Sequence, residues 1–322
     1  MTAPYPWQQT LWQQLESRLA AGRLPHAMLL TGAAGTGLEA FAEAWIARLL
    51  GAADNPHMQA LLDTGAHPDR LFVGIPKDRQ QIPVDSIREL IEFVNLTAQY
   101  SQRKIAIIRP AEAMNRSAAN SLLKTLEEPP AQSLLILVSE QPAVLPVTIR
   151  SRCQRFDLRV EADADTLAWL QTNVTAADAD LLLAISEFAP LAACELGGEN
   201  GLALRDQLLK DLLALDRGRA ISVKLADAWA RAGTESVHLW LLRLLRDMVR
   251  CVSRGPEAMV NTDRCQQLQD LTAGRTLRQF VLYYDQVIQN YRLIKGPYSP
   301  NTNALLEEFI LSWQGQAKVE RT

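Results

Sequence analysis

The chain has 322 residues, 48% hydrophobic and 6% aromatic, which is enough apolar content for two or three packed domains. Its 33 lysines and arginines stand against 36 aspartates and glutamates, a formal charge of −3, so a generally basic nucleic-acid-coating protein is excluded and any such contact must come from a local patch. No run approaches the roughly 18 apolar residues of a membrane span, the first basic residue is Arg18, and the four cysteines (Cys153, Cys194, Cys251, Cys265) contain no Cys-x-x-Cys pair; a reduced cytoplasmic protein without disulfide framework or zinc site is expected.

An amphipathic segment carrying Trp7 and Trp12 comes first, and the two indoles read as packing anchors rather than base-stacking platforms. Short apolar runs then alternate with helical patterns, the signature of a parallel sheet covered on both faces. Strands are expected at Ala27–Thr31, Leu71–Gly74, Ile105–Arg109, Leu134–Ser139 and Arg155–Leu158. Helices are expected at Leu38–Leu50, Val84–Ala98 and Ser117–Glu127, the last stopped by Pro129-Pro130. The fold class is therefore an α/β domain over residues 1–160, built on a P-loop-type parallel sheet.

Beyond residue 160 the strand signals vanish. Leucine recurs at helical spacing through Thr166–Leu170, Ala177–Phe188 and Leu202–Leu215, and longer patterns follow at Val237–Val252, Leu277–Ile294 and Asn303–Trp313. Gly255-Pro256 and Gly296-Pro297 act as breakers. A small helical domain over 161–200 and an all-α domain over 201–322 are expected, with the boundary near Gly198–Gly201. The stretch Leu239–Leu245 is apolar on more than one side, which suits either packing against sister subunits or the centre of a compact bundle.

The first strand runs into Gly32-Ala33-Ala34-Gly35-Thr36-Gly37-Leu38-Glu39, a phosphate-binding loop with its chemistry removed. The shaping glycines Gly32, Gly35 and Gly37 remain. Where a lysine would reach the β- and γ-phosphates stands Leu38, and where a hydroxyl would hold Mg²⁺ stands Glu39, a carboxylate facing the phosphate position. The stretch reads either as a plain strand-to-helix turn or as a site binding phosphate through backbone N–H groups alone, and Glu39 argues against the latter.

Three stretches carry a resemblance: Leu24-Pro25-His26-Ala27, Asn120 through Pro130 (Asn-Ser-Leu-Leu-Lys-Thr-Leu-Glu-Glu-Pro-Pro), and Val147-Thr148-Ile149-Arg150-Ser151-Arg152-Cys153. Together they resemble bacterial clamp-loader subunits of the AAA+ class over most of residues 24–158, and Asn303–Glu308 is weakly similar to the family's last helix. The resemblance implies a RecA-like AAA+ domain, a helical lid and an all-α collar. It further implies partners: γ/τ and δ subunits of the DNA polymerase III clamp loader in a hetero-pentamer, with the sliding clamp and primed DNA reached through the complex. After the third strand a working member presents an Asp-Glu pair, but this chain has Arg109-Pro110. Two losses thus agree on a non-hydrolysing member, with no cofactor and no intrinsic ATPase or polymerase activity. Many relatives carry a four-cysteine zinc module before the His-Pro-Asp found here as His67-Pro68-Asp69; residues 51–64 hold no cysteine, so no zinc is expected.

The same resemblance implies that Arg152 projects into a neighbouring subunit's ATP site as an arginine finger, where a guanidinium offers paired donors to a γ-phosphate. By composition alone it would be a surface arginine in a solvated ion pair. Ser151 and Cys153 are expected to fix the turn and fill the core. Arg103, Lys104, Arg116 and Lys124 are candidates for DNA or inter-subunit contact, set against a plain helical-surface role. Rival readings are a γ/τ-like ATPase, disfavoured by Leu38, Glu39, Arg109 and Pro110; a pure scaffold, which only Arg152 discriminates; and a stand-alone DNA-binding protein, which lacks a basic recognition element.

Overall fold

The computed structural model describes residues 4–52, 55–174, 178–198, 201–218, 222–296 and 300–319. The chain divides into two compact units, Met1–Trp169 with Phe188–Ala192, and Leu170–Glu187 with Ala193–Thr322.

The first unit is built on five parallel strands, β1 (Ala27–Gly32), β2 (Arg70–Val73), β3 (Lys104–Ile108), β4 (Ser133–Ser139) and β5 (Gln154–Leu158), in the order β2-β3-β4-β1-β5. Each lies within one residue of its expected bounds. In β1, β3 and β4 nearly every residue is buried because helices cover both faces, which is why these strands read as unbroken apolar runs. Alternate side chains then serve two cores. Leu29, Ala106, Leu135 and Leu137 pack with helices α4 (Val84–Val94) and α5 (Arg116–Glu127). Met28, Leu30, Ile105 and Ile136 pack on the other face with α1 (Gln9–Ala20) and α2 (Leu38–Leu49).

Trp7 is buried and Trp12 meets Phe41 and Trp45 edge-on, with ring centroids 5.9 and 5.3 Å apart, so both indoles are packing anchors. Two boundaries depart from expectation. Helix α4 stops at Val94, not Ala98, because the Asn95 side chain bonds back to the Ile91 carbonyl at 2.6 Å and the chain then turns its N–H groups toward Asp69. The segment without cysteines holds an unforeseen helix, α3 (Pro56–Asp63), capped by the Asn55 side chain. Helix α6 (Val147–Arg150) is a single turn before β5, and α7 (Ala164–Asn173) follows it.

The second unit is helical. Helix α8 (Ala179–Ile185) replaces the pattern expected over 177–188; Ala177 lies outside the described residues, as do Pro297 and residues 199–200 of the expected boundary. After α9 (Pro190–Leu196) come α10 (Ala203–Asp216), α11 (Ser222–Arg231), α12 (Thr234–Arg254), α13 (Cys265–Thr272), α14 (Leu277–Lys295) and α15 (Thr302–Val319). Helix α12 is the centre of this bundle: Val237, Leu241, Leu244, Leu245 and Met248 are all buried within the chain itself, which accounts for apolar residues on more than one side. Trp313 anchors an aromatic cluster with Tyr283 and Phe309, and its indole N–H donates to Asp216, which Arg275 also clamps. A fully buried Arg205 holds Asp263 through two bonds of 2.9 and 2.8 Å. All four cysteines are free.

Candidate functional site

Parallel strands place the phosphate loop and the residues after β3 and β4 at one edge of the sheet. The loop keeps its shape through protein contacts. Gly35 and Gly37 sit at φ 79° and 76°, left-handed values that favour glycine. The Trp7 indole N–H donates to the Thr36 carbonyl at 2.9 Å, and the Gln8 amide donates to the carbonyls of Thr36 and Gly37 at 3.2 and 3.1 Å. From the other side Leu191 N–H donates to the Gly35 carbonyl at 3.0 Å, and a methyl added at Gly35 would fall 2.9 Å from the Ala192 side chain. Leu38 is buried in the core beneath α2. The sequence marks Trp7 as an anchor, but nothing in its spacing names Thr36 as its target.

The two positions read from the sequence as degenerate, Glu39 and Arg109, face each other. Arg109 Nε lies 3.2 Å from the Glu39 carboxylate and Arg109 Nη1 lies 3.8 Å from Glu43. The guanidinium rests over Phe72 at 5.0 Å, while Arg70 holds both oxygens of Glu43 at 2.8 and 2.6 Å. In a hydrolysing site these two positions jointly hold Mg²⁺; here a side-chain cation lies against the carboxylate, joining them directly. Among the described residues no group of three or more acidic, histidine or cysteine side chains is arranged to hold a metal ion. Nearby, burial with Glu112 and Glu39 pushes the Glu140 carboxyl above its ordinary range.

The three stretches that carried the family resemblance meet at the opposite edge. His26, just before β1, lies with Nε2 3.0 Å from the Leu126 carbonyl at the end of α5, and Glu127 on that helix binds Arg152. Gln154 pairs with Met28 at the start of β1, and Leu158 pairs with Gly32 where the phosphate loop begins. Arg152 and the loop are therefore separated along the strands by roughly 13 Å. Buried Leu145 and Ile149 pin α6 from below, and Pro146 starts it, so that Arg152 emerges from a fixed turn.

Arg152 is one-third exposed. Its Nε–H donates to Glu127 at 2.7 Å, Nη2 donates to the same oxygen, and Nη1 donates to the Thr148 carbonyl at 3.0 Å. Of the five N–H groups of a guanidinium, one on each terminal nitrogen is left outside these contacts. Ser151 Oγ donates to the Thr148 carbonyl at 3.2 Å and fixes the turn. Cys153 is buried, and burial pushes its thiol up to about 11, so it fills the core and carries no reactive thiolate.

Among the basic candidates, Arg116 and Lys124 are exposed on one face of α5, eight residues apart, and Arg103 is half-buried. Lys104 is corrected: its ammonium lies inside the fold, 3.2 Å from Asp69, 2.8 Å from the Pro68 carbonyl and 4.7 Å from the Phe93 ring, so it has no access to phosphate. Asp69 also accepts from the N–H groups of Gln99, Tyr100 and Ser101 at 2.7–2.8 Å. Burial works against its charge, but these bonds and Lys104 outweigh it and hold the carboxyl at about 2. The His67-Pro68-Asp69 stretch is a structural brace.

Family models described as "DNA polymerase III, delta subunit" and "DNA polymerase III, delta subunit, C terminal" match residues 7–162 and 199–315. Two relatives described as "DNA polymerase III subunit delta'" are similar to the chain. The one from Pseudomonas aeruginosa is 33% identical over 320 residues, covering 96% of this chain and 97% of its own, and the one from Escherichia coli K12 is 32% identical over 217 residues, 65% of each. A DNA polymerase III subunit tau of Bacillus subtilis is 25% identical over 72% of this chain and 42% of its own. Among solved structures, a gamma subunit-related DNA polymerase III protein of Thermotoga maritima aligns with 96% of this chain and all of its own at 17% identity and a TM-score of 0.39.

Proposed function

Because the chain belongs to the family of DNA polymerase III delta' subunits, we propose that it is the rigid, non-hydrolysing partner in the clamp loader, giving Arg152 to a neighbouring ATPase subunit. The single observation that carries this reading is the placement of Arg152. It emerges from a braced turn at the edge of the sheet opposite its own phosphate loop, with donors left over. Such a side chain cannot serve the loop of its own chain and is free to serve another's. An arginine finger supplied in trans contributes about 10³–10⁵ in rate by stabilising charge on the transferring phosphoryl group.

The chain's own loop supports the complementary half of the proposal. With Leu38 buried, and with Arg109 against the carboxylate where metal would bind, there is neither a lysine for phosphate nor a vacancy for Mg²⁺. In this reading γ/τ and δ are its partners in a hetero-pentamer, which places the sliding clamp on primed DNA in the cytoplasm. Residues 161–200 act as a lid, and 201–322 as a collar that keeps the assembly together when nucleotide is absent. Arg103, Arg116 and Lys124 remain proposed contacts to DNA or neighbouring subunits; Lys104 does not.

The test is ATP hydrolysis by a reconstituted clamp loader, stimulated by clamp and DNA, containing this chain or its Arg152→Ala variant, after equal assembly is verified. A drop of at least about a hundredfold at the served site is expected. An unchanged rate reduces the chain to a scaffold.

A further inference from the structure

The helical unit contains a second basic site, unrelated to Arg152. Helix α12 carries Arg243, Arg246 and Arg250 at spacings of three and four, which sets them on one face. They line a cavity of about 30 Å³ together with the end of α8 and the turn at Val260–Asn261. That volume admits one or two water-sized groups and excludes a base or sugar.

The charges around the cavity do not close. Arg246 is paired with Glu187 at 2.5 Å, and Arg250 is paired with Asp247 at 2.9 Å. Asp247 is otherwise consumed by the Val260 and Asn261 backbone N–H groups and the Asn261 amide, at 3.0, 2.8 and 2.7 Å. Arg243 forms no ion pair among the described residues and lies over the Trp240 ring at 5.1 Å. Burial, only partly offset by Glu187, disfavours its charge. The Nε–H of Arg246 is buried without an acceptor. A buried donor lacking a partner and a guanidinium lacking a contact ion pair are each unfavourable, and the two side chains border the same small space.

We infer that this cavity is a binding site for a phosphate-type oxyanion, held between Arg243 and Arg246. A tetrahedral oxyanion supplies acceptors in several directions at once, as the two forks require, and the cavity has room for one or two of its oxygens while the rest of the anion stays outside. Two sources carry this chemistry: free phosphate, or a backbone phosphate of a nucleic-acid strand.

The test uses the full chain, its Arg243→Gln variant and an Arg278→Gln control on the exposed start of α14. Inorganic phosphate is titrated by calorimetry and by thermal unfolding, at ionic strength matched with chloride. Saturable phosphate binding with a rise in Tm is expected for the parent and for Arg278→Gln, and about tenfold weaker binding for Arg243→Gln. Since Arg243 holds no ion pair, its replacement should fold, and an Arg243→Lys variant retains the charge without the fork. A short oligothymidylate without terminal phosphates forms the second arm. Tighter binding of that strand with the same dependence on Arg243 identifies a nucleic-acid backbone, whereas phosphate binding alone identifies a free anion. Equal affinity of parent and Arg243→Gln, or no saturable binding in either arm, overturns the inference.

Discussion

Placing a lysine at position 38 tests the proposal that the loop after β1 is closed to nucleotide by its whole setting and not by one side chain. Leu38 is 2% exposed, in a core with Phe41, Trp45 and Leu30. Leu38→Lys removes a buried branched side chain, whose full burial contributes about 1.5–3 kcal/mol. The lysine stem recovers part of that, but its ammonium must either stay desolvated or push out past the loop. A net loss of about 2–4 kcal/mol is expected, or roughly 5–15 °C in the Tm of the unit that carries it. No gain in nucleotide affinity should accompany it, because Glu39 and Arg109 are unchanged and Trp7, Gln8 and Leu191 still close the loop. Thermal unfolding and equilibrium binding of a fluorescent ATP analogue with Mg²⁺ read the two effects separately. A Leu38→Lys protein that melts like the parent and binds the analogue saturably would show that side chain 38 faces an open phosphate site, and would refute the argument.

Acid should unfold the protein in two stages. Burial holds the pKa of His67 and His238 below 6.5, so the unfolded chain takes their protons more readily; the stability they contribute is full above pH 6.5 and falls as pH drops below it. Asp69 contributes about 2 kcal/mol above pH 3.8, lost as pH falls from 3.8 toward 2, so Asp69→Asn should flatten the lower part of a Tm–pH profile and leave the upper part unchanged. If Arg152 acts in trans as proposed, removal of the Glu127 carboxylate leaves it to sample other rotamers: Glu127→Ala should lower clamp-loader kcat about tenfold with KM for ATP little changed, and Glu127→Gln should restore most of it; parent-like kcat in Glu127→Ala would count against a role for this ion pair in that proposal. Arg205→Ala leaves Arg264 as the remaining cation beside the partly exposed Asp206 and Asp263 and takes a donor from Asn261, and a loss of about 1–3 kcal/mol in urea unfolding is expected; no measurable change would mean that Arg264 and water together replace it.

The strands were legible because a parallel strand buried on both faces cannot hide: Ile105–Ile108 and Leu134–Val138 have no polar residue to interrupt them. The end of α4 was not, since Leu96 and Ala98 continue the apolar pattern although Leu96 is exposed; the stop comes from backbone donors drawn to Asp69, a residue far away in sequence. Helices α11 and α13 escaped for want of a long periodic run. Lys104 looked like the partner of Arg103 in a basic pair, yet a strand sends neighbours to opposite faces and Asp69 awaits Lys104 on the covered one. The acid in His67-Pro68-Asp69, ahead of the neighbouring strand, was the signal that could have found it. Arg109 was legible as a loss but not as a replacement, because nothing in one dimension shows that it reaches Glu39.

That replacement also shapes what descendants of this chain can become. In the Arg109–Glu39 pair the carboxylate is mostly solvated although the guanidinium is not, so the contribution to stability is on the order of 1 kcal/mol. Undoing half of it is nevertheless unfavourable. Arg109→Asp alone adds a fifth carboxylate to a neighbourhood that already holds Glu39, Glu43, Glu112 and Glu140, while Glu39→Thr alone takes away one of the two carboxylates that face Arg109. Either single change leaves Leu38 buried in the core and unbalances the charges around position 109. Positions 39 and 109 are thus coupled, and each limits which residue can stand at the other.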